Sequence, residues 1–156
     1  MKRVEGFTEA DKKHVEKIYK EAILDISKTD VKYVLDKIEG KSEFLKAYSL
    51  EWMQDFGKQV EFLSMILKDW WKGIYDLPWK TVATITAALY YFISPFDLLP
   101  DFEPLTGYLD DAYIVRCCIK KIEPDIKKYA KLKQIEPKEY SIYLENSKYN
   151  KNHIDK

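Results

Sequence analysis

Between Thr81 and Phe96 the chain runs TVATITAALYYFISPF, sixteen residues without a charge, in a protein whose Asp, Glu, Lys and Arg make up 33% of the total. Such a stretch must bury itself in a core or in lipid. As a helix it reaches about 24 Å, against roughly 30 Å of bilayer hydrocarbon and the 20 or so residues a span needs. Three Thr and three Ala dilute its apolarity. The expectation is a central buried helix. Shallow insertion at a membrane surface is the second reading, and a full span the third.

The residues beyond the stretch limit it further. SPFDLLPDFEPLTGYLDD carries three prolines and one glycine. Ser94, Pro95 and Asp97 read as an N-cap, a first-turn proline and an N3 acid, opening one short turn. Pro100 and Pro104 push the residues before them out of the α region. Gly107 is expected at a positive φ. A new helix is expected near Leu109, with Asp110 and Asp111 in its first turn, where carboxylates favour the positive end of the dipole. Its stripe is Ala112, Val115, Ile119, Ile122, Ile126 and Tyr129, and Pro124 either kinks it or opens another helix. The pattern describes two helices folded back on each other through a stiff acidic corner.

The rest of the chain is also helical in pattern. Thr8-Glu9-Ala10-Asp11 resembles a capping box with Phe7 as a staple. Val15, Ile18, Ala22 and Ile26 then recur at helical spacing. Ser27–Asp30 interrupts, a short helix runs on through Ile38, and Gly40 sits where a C′ glycine belongs. Ser42 is expected to cap one long helix with the stripe Leu45, Tyr48, Trp52, Phe56, Val60, Leu63, Leu67 and Trp70, with a bend possible at Gly57. Residues 72–78 are a connection. Pro137 is expected to open a last short helix through Leu144. Gly (5) and Pro (6) are too few for a many-turned β fold.

The residues Leu77-Pro78-Trp79, Ala88-Leu89-Tyr90-Tyr91, Ser94 to Phe102 and Gly107 to Ala112 resemble the YkvA-like family, small bacterial domains of unknown function. The spacing P-x-D-x-x-P-D, then G-Y-x-D-D, carries the resemblance, which covers residues 77–133; the N-terminal helices match only loosely. The resemblance implies a helical fold, no established activity and, for many members, membrane association. Some eukaryotic relatives carry the domain beside a RING finger. No Cys/His zinc pattern exists here, so ligase activity does not carry over.

Asp97, Asp101, Asp110 and Asp111 flank the corner, and Pro95, Pro100 and Gly107 would shape it. The favoured role for the acids is capping. If the carboxylates converge, they form a candidate oxygen-only site for Mg²⁺, Ca²⁺ or Mn²⁺. Trp70, Trp71, Tyr75 and Trp79 are candidate membrane contacts, weighed against filling of the core. His14 and His153 are expected in solvent, which removes the usual general base. No Walker loop, nucleophile elbow or dinucleotide fingerprint appears. Lys plus Arg equals Asp plus Glu at 26 each, and aromatics are not interleaved with basic residues, so no nucleic-acid partner is expected. Residues 120–156 carry a net charge of +4, read as a solvated end. Cys117 and Cys118 are adjacent and read as reduced, half-buried thiols. The basic N-terminus leads into no apolar run, so no secretory signal is expected.

The reading is an all-α, compact bundle of five or six helices with a C-terminal helical hairpin. Residues 1–146 form one domain and 147–156 a flexible tail. The expected role is non-enzymatic, a module for a protein partner or a membrane surface, without a cofactor. The location is cytoplasmic, extending to the inner membrane face. The rival is an enzyme or sensor that holds a divalent cation, Mg²⁺ or Ca²⁺, on the corner aspartates.

Overall fold

The computed structural model describes residues 8–93 and 104–144, with residues 104–108 as backbone only. The described residues form seven α-helices and one 3-10 turn, with no strand among them. In chain order they are α1 (Glu9–Asp25), α2 (Lys28–Ile38), α3 (Lys41–Lys46), α4 (Glu51–Trp71), α5 (Trp79–Ile93), α6 (Pro104–Lys121) and α7 (Glu123–Lys133). The 3-10 turn is Pro137–Tyr140. The all-α bundle expected from the sequence is what forms. The Phe7 staple, His153 and the tail at 147–156 lie outside the described residues.

Local chemistry sets the first two helices. The Asp11 N–H donates to Thr8 Oγ1 at 3.1 Å, and the Thr8 N–H donates to Asp11 Oδ2 at 2.9 Å. Ser27 and Asp30 repeat the reciprocal pair at the start of α2. Each box satisfies two backbone donors that a bare helix end leaves open. Gly40 follows α2 at φ 84°, the left-handed position expected of it.

One long helix is expected from Ser42 to Trp70, and the structure corrects that. Ser42 lies inside α3, the chain breaks at 47–50, and α4 starts at Glu51. The Gln54 side-chain amide donates to the Tyr48 carbonyl in the break at 2.7 Å. This break is why seven helices form rather than five or six. Gly57 does not bend α4. It is the place where α3 folds back and touches. A Cβ at Gly57 would lie 2.8 Å from Lys46 Cγ and 2.9 Å from the Ser42 carbonyl oxygen.

α5 is the centre of the bundle. It packs against α1, α2, α4 and α6, and every residue from Thr81 to Leu89 is buried. An element surrounded on all sides has no use for charge, which accounts for the uncharged stretch. Its threonines return their hydroxyls to the protein: Thr84 donates to the Lys80 carbonyl at 2.7 Å and Thr81 to Asp125 at 2.5 Å. Tyr19 of α1 donates to the Thr84 carbonyl at 2.8 Å. One continuous core runs from Val15 to Leu144. Each fully buried Leu, Ile or Phe in it contributes about 1.5–3 kcal/mol.

The hairpin is present. Tyr91 near the end of α5 meets Asp110 of α6, and Thr81 near its start meets Asp125 beyond the end of α6, so α5 and α6 run antiparallel. α6 starts at Pro104, not near Leu109. A proline's fixed φ suits the first helical position, and its missing N–H is no loss there. Gly107 therefore sits within a helix and not at the positive φ expected for it. Pro124 opens α7 and does not kink a longer helix.

Candidate functional site: the corner and the tryptophan end

At the corner, Pro95, Asp97, Pro100 and Asp101 lie outside the described residues. Asp110 and Asp111 are the seventh and eighth residues of α6. They are therefore past the first turn, and the helix-start role expected of them is corrected. Both are buried, at 1% and 5% exposure. A carboxylate so placed must be hydrogen-bonded. The Tyr91 hydroxyl donates to Asp110 Oδ2 at 3.0 Å, and the Asp111 N–H lies 3.0 Å from Asp110 Oδ1. Tyr91 ties the two arms of the hairpin together. In the sequence it stands out only as part of the resemblance, because a partner nineteen residues away leaves no local signal. Among the described residues no group of three or more His, Cys, Asp or Glu is arranged to hold a metal ion.

At the other end of α5 the four aromatic candidates separate into two pairs. Trp71 and Trp79 are 44% and 41% exposed. Trp70 and Tyr75 are half-buried against the core. The Trp70 ring lies between its neighbours, 6.4 Å from Trp71 and 6.0 Å from Trp79. Tyr75 meets Tyr129 edge-on at 5.1 Å.

The turn after α4 explains how this end is presented. Gly73 adopts φ 77°. Its N–H donates to the Trp70 carbonyl at 3.0 Å, and the Ile74 N–H donates to the Asp69 carbonyl at 2.9 Å. This is a Schellman cap, which needs the left-handed residue that glycine supplies. The cap turns Ile74 outward, 61% exposed. Sequence reasoning misses Ile74 within its connection, although K-G-I after a long apolar stripe is the signal of such a cap. Lys68, Lys72 and Lys80 are exposed on the same turns. The Asp69 carboxylate is occupied by Tyr129 and Lys133, at 2.7 and 3.1 Å.

The two cysteines are free. Cys118 is buried, and that burial raises its thiol to about 12. Cys117 is half-buried and also raised, chiefly by burial. Neither carries the depressed pKa of a reactive thiol. His14 is exposed, as expected.

Residues 81–116 match a family described as "Protein of unknown function (DUF1232)". The chain is also similar to the "Uncharacterized membrane protein YkvA" of Bacillus subtilis (strain 168), 33% identical over 67 residues. That match covers 42% of this chain and 63% of the relative. No solved structure matches. The chain is therefore similar to the family of unknown function through residues 81–116, and to YkvA over 67 residues. The relative is called a membrane protein. Among the described residues of this chain, no helix is long and apolar enough to cross a membrane.

Proposed function

We propose that this chain is a non-enzymatic helical module that rests on the surface of an anionic membrane. It does so through the end formed by Trp71, Ile74 and Trp79. The exposure of these three side chains around one turn is the observation that carries the reading. Amphipathic indole rings favour the headgroup level, and flanking lysines favour anionic lipid. The name of the relative supports the same reading. The central position of α5 favours surface attachment over insertion of that helix, because inserting it would break up the core. The attachment is peripheral, on the inner face of the membrane.

The cation alternative needs Asp97 and Asp101, which lie outside the described residues. No observation on the described residues favours it.

Liposome flotation tests the proposal. The intact chain is expected to rise with phosphatidylglycerol-containing vesicles at low salt. A Trp71→Ala/Trp79→Ala variant is expected to stay mostly below. Recovery of the intact chain in the soluble fraction under those conditions refutes the reading.

A further inference from the structure

We propose that the groove between α1, α5 and α6 binds one anionic phospholipid, with its headgroup among three lysines and the start of an acyl chain on an apolar wall. This rests on the membrane reading and extends it by naming the lipid class and its seat. Lys20 near the end of α1, Lys80 at the start of α5 and Lys121 at the end of α6 line a cavity of about 530 Å³. Ile23, Leu24 and Ile122 line the same cavity. A hollow of this size is in the range that small ligands occupy.

The charged residues that line the cavity are all cations, and the nearest acid shown, Asp125, sits behind Thr81 and accepts its hydroxyl. Among the described residues none of the three ammonium groups is in an ion pair. The polar groups around them are engaged elsewhere. The Thr81 hydroxyl is on Asp125, and the Thr84 hydroxyl is on the Lys80 carbonyl. An adjoining hollow of about 200 Å³ shares Lys20 and Lys121 and adds Lys120. The acid lining that hollow, Glu16, accepts the Tyr113 hydroxyl.

The apolar wall selects the occupant. Leu24 is 85% exposed beside three cations, an arrangement that a free phosphate would leave unused. An anionic phospholipid uses both halves. The groove and Trp79 lie at the same end of α5, since Lys80, which lines the groove, follows Trp79 directly. A chain resting on that end would bring the groove to headgroup level.

The test uses the full chain and dihexanoylphosphatidylglycerol kept below its micellar concentration, followed by NMR shifts. Saturable binding is expected. Lys20→Gln/Lys121→Gln should weaken it by about 25-fold, from roughly five-fold per lysine. Both lysines are exposed, so the fold is expected to survive. Leu24→Asp, also at an exposed site, should weaken binding as well. Dihexanoylphosphatidylcholine and inorganic phosphate should bind far more weakly. The proposal is overturned if the anionic lipid does not saturate, if the lysine variant binds equally, or if phosphate alone matches it. The two readings fail separately. Flotation without short-chain binding removes the groove and keeps the membrane end. Short-chain binding without flotation keeps the groove and removes the membrane end.

Discussion

Single hydrogen bonds decide how the ends of this bundle are held. Tyr91 and Asp110 show it best, with a hydroxyl on one helix and a buried carboxylate on the next at 3.0 Å. Removing the donor takes one hydrogen bond from a buried acceptor. Tyr91→Phe is therefore expected to destabilise the protein by about 0.5–1.5 kcal/mol, read by urea denaturation. An unchanged midpoint would show that other contacts of Asp110 suffice. A contrasting residue is Thr86, whose hydroxyl is buried without a hydrogen-bond partner. Thr86→Val keeps the shape and removes the orphan, so it is expected to stabilise by about 1 kcal/mol. A loss of stability would mean that the hydroxyl is satisfied. The capping box at Thr8 is legible in the sequence because both partners lie within four residues, whereas the one at Ser27, with the same spacing, reads there only as an interruption between helices. Tyr91–Asp110 and Tyr19–Thr84 are not legible, because their geometry exists only after the helices have packed.

At the scale of elements, the hydrophobic stripe misleads where it stays in phase across a break. Leu45, Tyr48 and Trp52 continue one face, and no Pro or Gly stands between them. Nothing local announces that the chain stops at Lys46 and restarts at Glu51. The clue is Gly57, which reads as a bend and turns out to be a contact. Lys46 adds to that contact, its ammonium 2.8 Å from Glu61 of α4. The hydrogen bond to Glu61, with a second to Glu43, holds the Lys46 pKa above its ordinary value. Gly57→Ala gains up to about 1 kcal/mol of helix propensity. It also drives a methyl group into Lys46 and the Ser42 backbone, at a typical cost of about 1–3 kcal/mol. The expected result is a net loss of stability with α3 loosened. Hydrogen exchange of residues 41–46 checks this, and unchanged protection there would contradict it. The start of α6 is misplaced by sequence reasoning for a different reason. Pro104 reads as a breaker, whereas a proline at the first helical position is an initiator.

Taken as one object, the molecule buries groups that strongly resist ionisation. Burial raises the Cys118 thiol to about 12 and lifts the hydroxyls of Tyr19, Tyr129 and Tyr113 above the ordinary tyrosine value. In the unfolded chain these groups release protons near 9.0 for the thiol and 10.0 for the phenols. Above those values the unfolded state holds fewer protons than the folded one, so stability falls as pH rises. Thermal melts are expected to drop steadily from about pH 9 to pH 12. Cys118→Ala should give a lower but flatter curve, and equal slopes would refute this origin. The bundle class and the central place of α5 are legible in the sequence, because an uncharged helix in a charged chain has few places to go. The lysine groove is not, since Lys20, Lys80 and Lys121 come together only through the packing of three helices.

The proposal that Trp71 and Trp79 lie in lipid can be measured by contact. Vesicles of brominated phosphatidylglycerol quench indole fluorescence only where bromine reaches the ring. Clear quenching of the intact chain is expected, most of it removed by Trp71→Phe/Trp79→Phe, which keeps the surface apolar. No quenching, or the same quenching in that variant, would contradict it.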